Sequence, residues 1–361
     1  MPLSQSDLLK KSLELYSEKI FLFGSIFTSF GILLVTVGGS WDITNHLLNR
    51  PETFFSPPHA FMYTGVAISL IGTILSYFGW HNLQNSKDYY FPSLKIKLIG
   101  IGLLIGAGPF DYVWHSNFGL DGLLSPPHLT LILGMFLCGI GGMFGISKYL
   151  KTNNSKSLFQ YLLVLAVLPI WLSGSGIISS LSLPFSNTDY FELNPDPTFA
   201  FFVASLAFPF LISFSILLIF RLSDLRFGMV SILGGLFLLI YSSTAIVPNF
   251  ALFNSIQFYS LNLIPFVMSD VILRINNSKK SLIFVGGLLG SIFYMIYYPY
   301  VMYTFNESLL GKLVSPSLIY FVYFELIETV LLYTVIPAII MGIIAVFASD
   351  KLSQKILMKK S

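Results

Sequence analysis

The chain has 361 residues, 55% of them hydrophobic and only 10% charged, with a net charge of +3 and a single cysteine, Cys138. A mean hydropathy of +0.77 and repeated apolar runs of bilayer length exclude a soluble globular enzyme, in which about 25% of residues are charged. There is no basic block to bind nucleic acid, and one cysteine builds neither a disulfide framework nor a thiolate metal cluster within one chain.

In chain order, a polar segment at 1–18 precedes an apolar run too long for the core of a signal peptide, so no cleaved leader is expected. Ten candidate spans fall near 20–41, 59–80, 94–115, 127–148, 158–182, 199–220, 227–247, 252–272, 281–304 and 318–348. The eighth is interrupted by Asn254, Gln257, Asn262 and Pro265, and the last is long enough to tilt or to run past the membrane. The expected fold is an all-α integral membrane protein of about ten transmembrane helices. Its parts are a cytoplasmic segment 1–18, a duplicated four-helix unit 19–150, six further helices over 151–349 and a cytoplasmic tail 350–361.

Charge predicts the orientation. Lys10, Lys11 and Lys19 precede the first span; Lys87, Lys95 and Lys97, then Lys148, Lys151 and Lys156, then Arg221 and Arg226, then Arg274, Lys279 and Lys280 occupy every second connection; Lys351, Lys355, Lys359 and Lys360 end the chain. The alternate loops carry only Arg50 and Lys312 against Glu52, Asp121, Asp189, Glu192, Asp196 and Glu307. The positive-inside rule then predicts cytoplasmic termini and a multi-pass protein of the cell membrane.

One pattern occurs twice. Trp41-Asp42-Ile43-Thr44-Asn45-His46 is followed by Ser56-Pro57-Pro58-His59, and 69 residues later Phe110-Asp111-Tyr112-Val113-Trp114-His115 is followed by Ser125-Pro126-Pro127-His128. Four of the five histidines sit in these two copies. Asp and His four apart share a helix face. Ser56 and Ser125 are expected as N-caps, with Pro57 and Pro126 at the first helical position, which places His59 and His128 in the opening turn of the returning helix. Three ligands from one hairpin thus converge at its outward end. Two imidazoles and a carboxylate leave open positions and suit copper, iron or zinc rather than calcium. Ionisable groups in such helices are functional candidates in their own right.

These residues carry a resemblance. Over about 38–135 the chain resembles the C subunit of the copper membrane monooxygenases, which include the particulate methane and ammonia monooxygenases. The resemblance implies that Asp42, His46 and His59 match the family's first copper site, and Asp111, His115 and His128 its second, whose first ligand is Asn in the family. It also implies dioxygen chemistry and additional membrane subunits. Spans five to ten have no counterpart in that alignment.

Other residues carry weaker signals. Pro195-Asp196-Pro197-Thr198, Val247-Pro248-Asn249 and Ser315-Pro316-Ser317 open later spans, and Tyr300-Val301-Met302-Tyr303 echoes Tyr112-Val113-Trp114-His115, which suggests five outward hairpins with ligands in two. Glu325 and Glu328 share a helix face, Asp270 and Arg274 read as an i,i+4 ion pair, and His81 as an interfacial residue beside Trp80. The glycines at 100–108 and 139–145 read as close helix contacts.

The functions left open are a copper-dependent, monooxygenase-like oxidoreductase acting on a small apolar or lipid-soluble substrate; a non-catalytic copper receptor, chaperone or assembly factor; a transporter with Glu325 and Glu328 as coupling acids; and a zinc hydrolase of lipids. Expected partners are the lipid bilayer, further membrane subunits or a second copy of the chain, and no nucleic acid.

Overall fold

The computed structural model describes residues 5–47, 55–119, 122–153, 160–183, 190–293 and 319–357. Within these, the side chains of 5–10, 46, 47, 251, 254, 319–333 and 357 lie outside the description. The regular structure of the described residues is helical, with no strand among them. The helices are α1 (Gln5–Leu47), α2 (Pro57–Asn82), α3 (Lys87–Phe118), α4 (Pro126–Thr152), α5 (Leu162–Ser180), α6 (Pro197–Leu222), α7 (Met229–Ile246), α8 (Ile256–Leu261), α9 (Leu263–Ile275), α10 (Lys279–Ser291) and α11 (Ile319–Leu357). Nine helical stretches among the described residues are long and apolar enough to cross a bilayer, which is the build of a multi-pass membrane protein. The polar start of the chain is continuous with α1.

The interrupted eighth span is a 3-10 turn at Phe250–Ser255, then α8 and α9, broken at Asn262. The buried amide of Asn262 donates to the Phe258 carbonyl at 2.6 Å. Of the ninth span, α10 is described; Tyr294–Tyr303 and Ser315–Ser317 lie outside the described residues.

α1 and α2 pack antiparallel along their length. Gly24, Gly31 and Gly38, two turns apart on α1, meet Gly72 and Ser76, Gly65 and Ser69, and Pro58 and Met62 of α2. A Cβ on Gly24 would lie 2.5 Å from the Ser76 nitrogen, and one on Gly65 2.5 Å from the Gly31 carbonyl oxygen. Small residues permit this approach, and within a bilayer such van der Waals contact drives helix association, since lipid is as apolar as leucine.

α3 packs on α4 through the face holding Lys97, Gly100, Ile101, Leu104 and Ala107. Gly102, Gly106 and Gly108 correct the expectation of close contacts: a Cβ on any of them would meet nothing within 4 Å. The helical repeat turns them away from the buried stripe that Gly100 shares. Lys97, fully buried, joins the two hairpins. Its ammonium donates to Ser25 Oγ on α1 (3.0 Å) and Ser76 Oγ on α2 (2.6 Å), and lies 4.3 Å from the Phe21 ring centroid.

Behind the hairpins, Trp171 of α5 is fully buried, stacked on Phe237 of α7 at 3.9 Å and edge-on to Phe266 of α9 at 6.2 Å. Asp270 departs from the expected pair with Arg274. Its carboxylate accepts from the Gly228 N–H (3.1 Å), the Ser231 N–H (2.7 Å) and the Ser231 hydroxyl, and so caps the start of α7 from a neighbouring helix. Unpaired N–H groups at a helix start outbid an exposed arginine for a buried carboxylate.

Candidate metal centre

The site is built at one end of the two hairpins. Ser56 and Ser125 occupy the N-cap positions of α2 and α4 but make no side-chain cap bond. Both hydroxyl oxygens are buried without a hydrogen-bond partner. The second proline removes one of the two amides that an N-cap side chain can bond: Pro58 and Pro127 have no N–H at N2, which leaves only the N3 amides of His59 and His128. α6 makes the contrast. With a single proline, Asp196 caps it by accepting from Thr198 N (2.9 Å) and Phe199 N (3.0 Å).

In the second copy all three predicted ligands come together. His115 Nε2 and His128 Nε2 each lie 3.4 Å from Asp111 Oδ1, and 3.3 Å from each other. Among the described residues this is the one group of three that could hold a metal ion. The other ring nitrogen of each histidine faces a backbone carbonyl: His115 Nδ1 lies 2.7 Å from Gly119 O, and His128 Nδ1 3.2 Å from Gly122 O. A carbonyl only accepts, so each Nδ1 carries a proton, and in the neutral ring each Nε2 turns a lone pair inward. Three electron-pair donors therefore converge, an arrangement that calls for a cation among them: a metal ion, or a proton on one imidazole. The separations fit a metal. Tetrahedral ligands at 2.0–2.1 Å stand about 3.3 Å apart. Backbone acceptors on the far ring nitrogens are the usual outer support of metal-bound histidines.

The two glycines are conformational requirements here. Gly119 ends α3 with φ +68°, and Gly122 has φ +96°; both lie in the left-handed region that favours glycine. They occur in the second loop only, since 47–55 contains no glycine.

In the first copy, His59 Nε2 lies 3.0 Å from Asp42 Oδ1. His46 follows Asp42 by one turn on α1, but its side chain lies outside the described ones. Near the start of α2, the Tyr63 ring is 6.2 Å from the His59 ring, and its phenol is within electrostatic reach of both Asp42 and Asp111. The end of α1 is tied to α7: Thr44 donates to the Thr244 carbonyl (3.1 Å), and Ser40 and Thr244 share a hydroxyl bond of 2.8 Å.

A cavity of ≈ 90 Å³ is lined by residues of both copies, Asp42 and His128 among them. Its apolar wall includes Met62, Leu123 and Met135, and α5 and α7 add Ser175, Ser179 and Tyr241. These α5 and α7 residues carry no spacing signal that sequence reasoning could have used. Gly119 and Gly122 do carry one, as glycines confined to a single copy. Glu325 and Glu328 lie on α11 with side chains outside the described ones, and His81 ends α2 exposed and stacked on Tyr77 at 5.9 Å.

No family model matches the chain, and no curated protein and no solved structure matches it either.

Proposed function

We propose that this is a membrane metalloprotein in which Asp111, His115 and His128 hold one metal ion and Asp42, His46 and His59 a second. Copper is the metal that the donor set and the resemblance favour. The reading places both triads at the extracytoplasmic face, on the strength of the lysine and arginine distribution. The observation that carries it is the triangle of Asp111, His115 and His128 donor atoms with 3.3–3.4 Å edges, both imidazoles backed by carbonyls.

The activity proposed is that of an oxygenase-like oxidoreductase on a small apolar or lipid-soluble substrate. Bound copper would supply redox chemistry toward dioxygen. The chain's own part is to orient the two imidazoles through Gly119 and Gly122, to hold a carboxylate beside them, and to offer a mostly apolar cavity between the triads. A second reading is a copper receptor or assembly factor: the Asp111 side chain is 39% exposed, with its site-facing Oδ1 itself buried.

Metal analysis of the detergent-purified chain is the test. Wild type should carry roughly one to two copper ions per chain, with Asp42→Ala and His59→Ala losing one share and His128→Ala the other. A wild type that neither contains nor takes up metal would sink the proposal. Oxygen consumption by the copper-loaded protein with a reductant separates the readings: turnover supports the oxidoreductase, and stoichiometric binding without turnover supports the receptor.

A further inference from the structure

We propose that the segment 190–196, which lies outside the duplicated unit, is the positioning element of the second triad and acts through the Gly122 carbonyl. The inference rests on the reading of that triad as a metal site.

The segment touches both halves of the triad's scaffold. On one side, the Phe191 ring packs against Trp114 (6.0 Å) and Phe118 (5.2 Å), which flank His115 in the last turns of α3. On the other, Leu193 accepts a backbone hydrogen bond from Leu124 N at 3.2 Å. Between these contacts the segment presses on Gly122. A Cβ there would lie 2.7 Å from Leu193 O and 2.8 Å from Asn194 Oδ1. Glycine is thus required at 122 twice, by its positive φ and by the chain laid against it. So confined, the Gly122 carbonyl stands 3.2 Å from His128 Nδ1, which fixes both the tautomer and the rotation of that ring. Loss of that acceptor removes one of the contacts that set the rotation of the ring, and with it the placing of Nε2 in the triangle with Asp111 and His115. The far end of the segment is anchored in turn: Pro195 is buried and Asp196 caps α6.

Copper(II) is the probe, titrated into the full-length protein in detergent in a His59→Ala background, so that only the second triad reports. The readouts are affinity by competition, the nitrogen hyperfine pattern of the bound ion by electron paramagnetic resonance, and thermal unfolding of the metal-free protein. Gly122→Ala should weaken copper binding about 10–100-fold, the range that loss of an outer support costs, and should alter the hyperfine pattern. Gly228→Ala is the control for strain alone. Gly228 has φ +91° with nothing within 4 Å, and sits at the end of α7 away from Thr244; the variant should unfold at lower temperature and keep the copper signature. Asp196→Ala should weaken binding by loosening the segment, and Asp196→Asn should restore it, since Asn caps as well as Asp. Gly122→Ala with wild-type affinity and spectrum overturns the inference, as does an equal loss in Gly228→Ala. A parent protein that binds no copper overturns the metal reading itself and takes this inference with it.

Discussion

The two hairpins carry the same motif and are stabilised differently. α1–α2 is closed by glycines on both helices from end to end, and α1 also packs against α4, α5 and α7. α3 lies at the rim: its stripe of Gly102, Gly106 and Gly108 has open space before it, and its contact with α4 runs along one face. The central hairpin brings Asp42 and His59 to 3.0 Å, with the His46 side chain outside the described ones, and the rim hairpin holds an almost equilateral triangle. Order at the rim comes from elsewhere, through two loop glycines and the 190–196 segment. A duplicated motif therefore specifies which atoms can meet, and the neighbourhood of each copy decides how firmly they are held.

The largest expected effect breaks the central hairpin. Gly31→Leu drives a side chain into Gly65 and Ser69 of α2, and should abolish a monodisperse folded species in size-exclusion chromatography. An intermediate effect tests the joint between the hairpins. Ser76→Ala removes one acceptor from the buried Lys97 ammonium, and should lower stability by about 1–3 kcal/mol in denaturant titrations. Lys97→Met should stay within about 1 kcal/mol, because Ser25 and Ser76 already donate their own protons to Phe21 O and Gly72 O and are left with no orphan donor. A larger loss in Lys97→Met than in Ser76→Ala would reverse that account. The smallest effect belongs to the rim: Gly106→Leu points into open space, and should shift stability by no more than about 0.5 kcal/mol.

Much of the site was legible because its ligands are local. Asp111 and His115 share a helix face by spacing alone, and a Ser-Pro-Pro helix start places His128 within reach of them. The failures have two causes, a partner distant in the chain and a donor removed by chemistry. Asp270 looked paired with Arg274 by its i,i+4 spacing, yet its carboxylate reaches back to Gly228 and Ser231. Ser56 and Ser125 looked like caps, yet they make no cap bond; the second proline of each Ser-Pro-Pro removes the N2 amide, one of the two such a side chain can bond. The glycines of α3 looked like a contact face; which side of a helix meets its neighbour is set by packing, and there Lys97 and Leu104 define the buried side. Gly119 and Gly122 could be read as loop residues, but not as acceptors for particular ring nitrogens, since that depends on how the loop folds back.

Lys97 has a consequence for the distance between the two triads. It sits 14 residues, or about 21 Å along α3, from Asp111, and among the described residues it has no acidic partner; its hydroxyl acceptors are Ser25 and Ser76 of the other hairpin. Sliding one hairpin past the other by a helical turn, about 5.4 Å, would carry the ammonium from those hydroxyls into hydrocarbon surroundings. The buried lysine therefore acts as an index pin. It locks the longitudinal register of the hairpins at one end of the bundle, and so fixes how far apart Asp42 and His128 stand at the other.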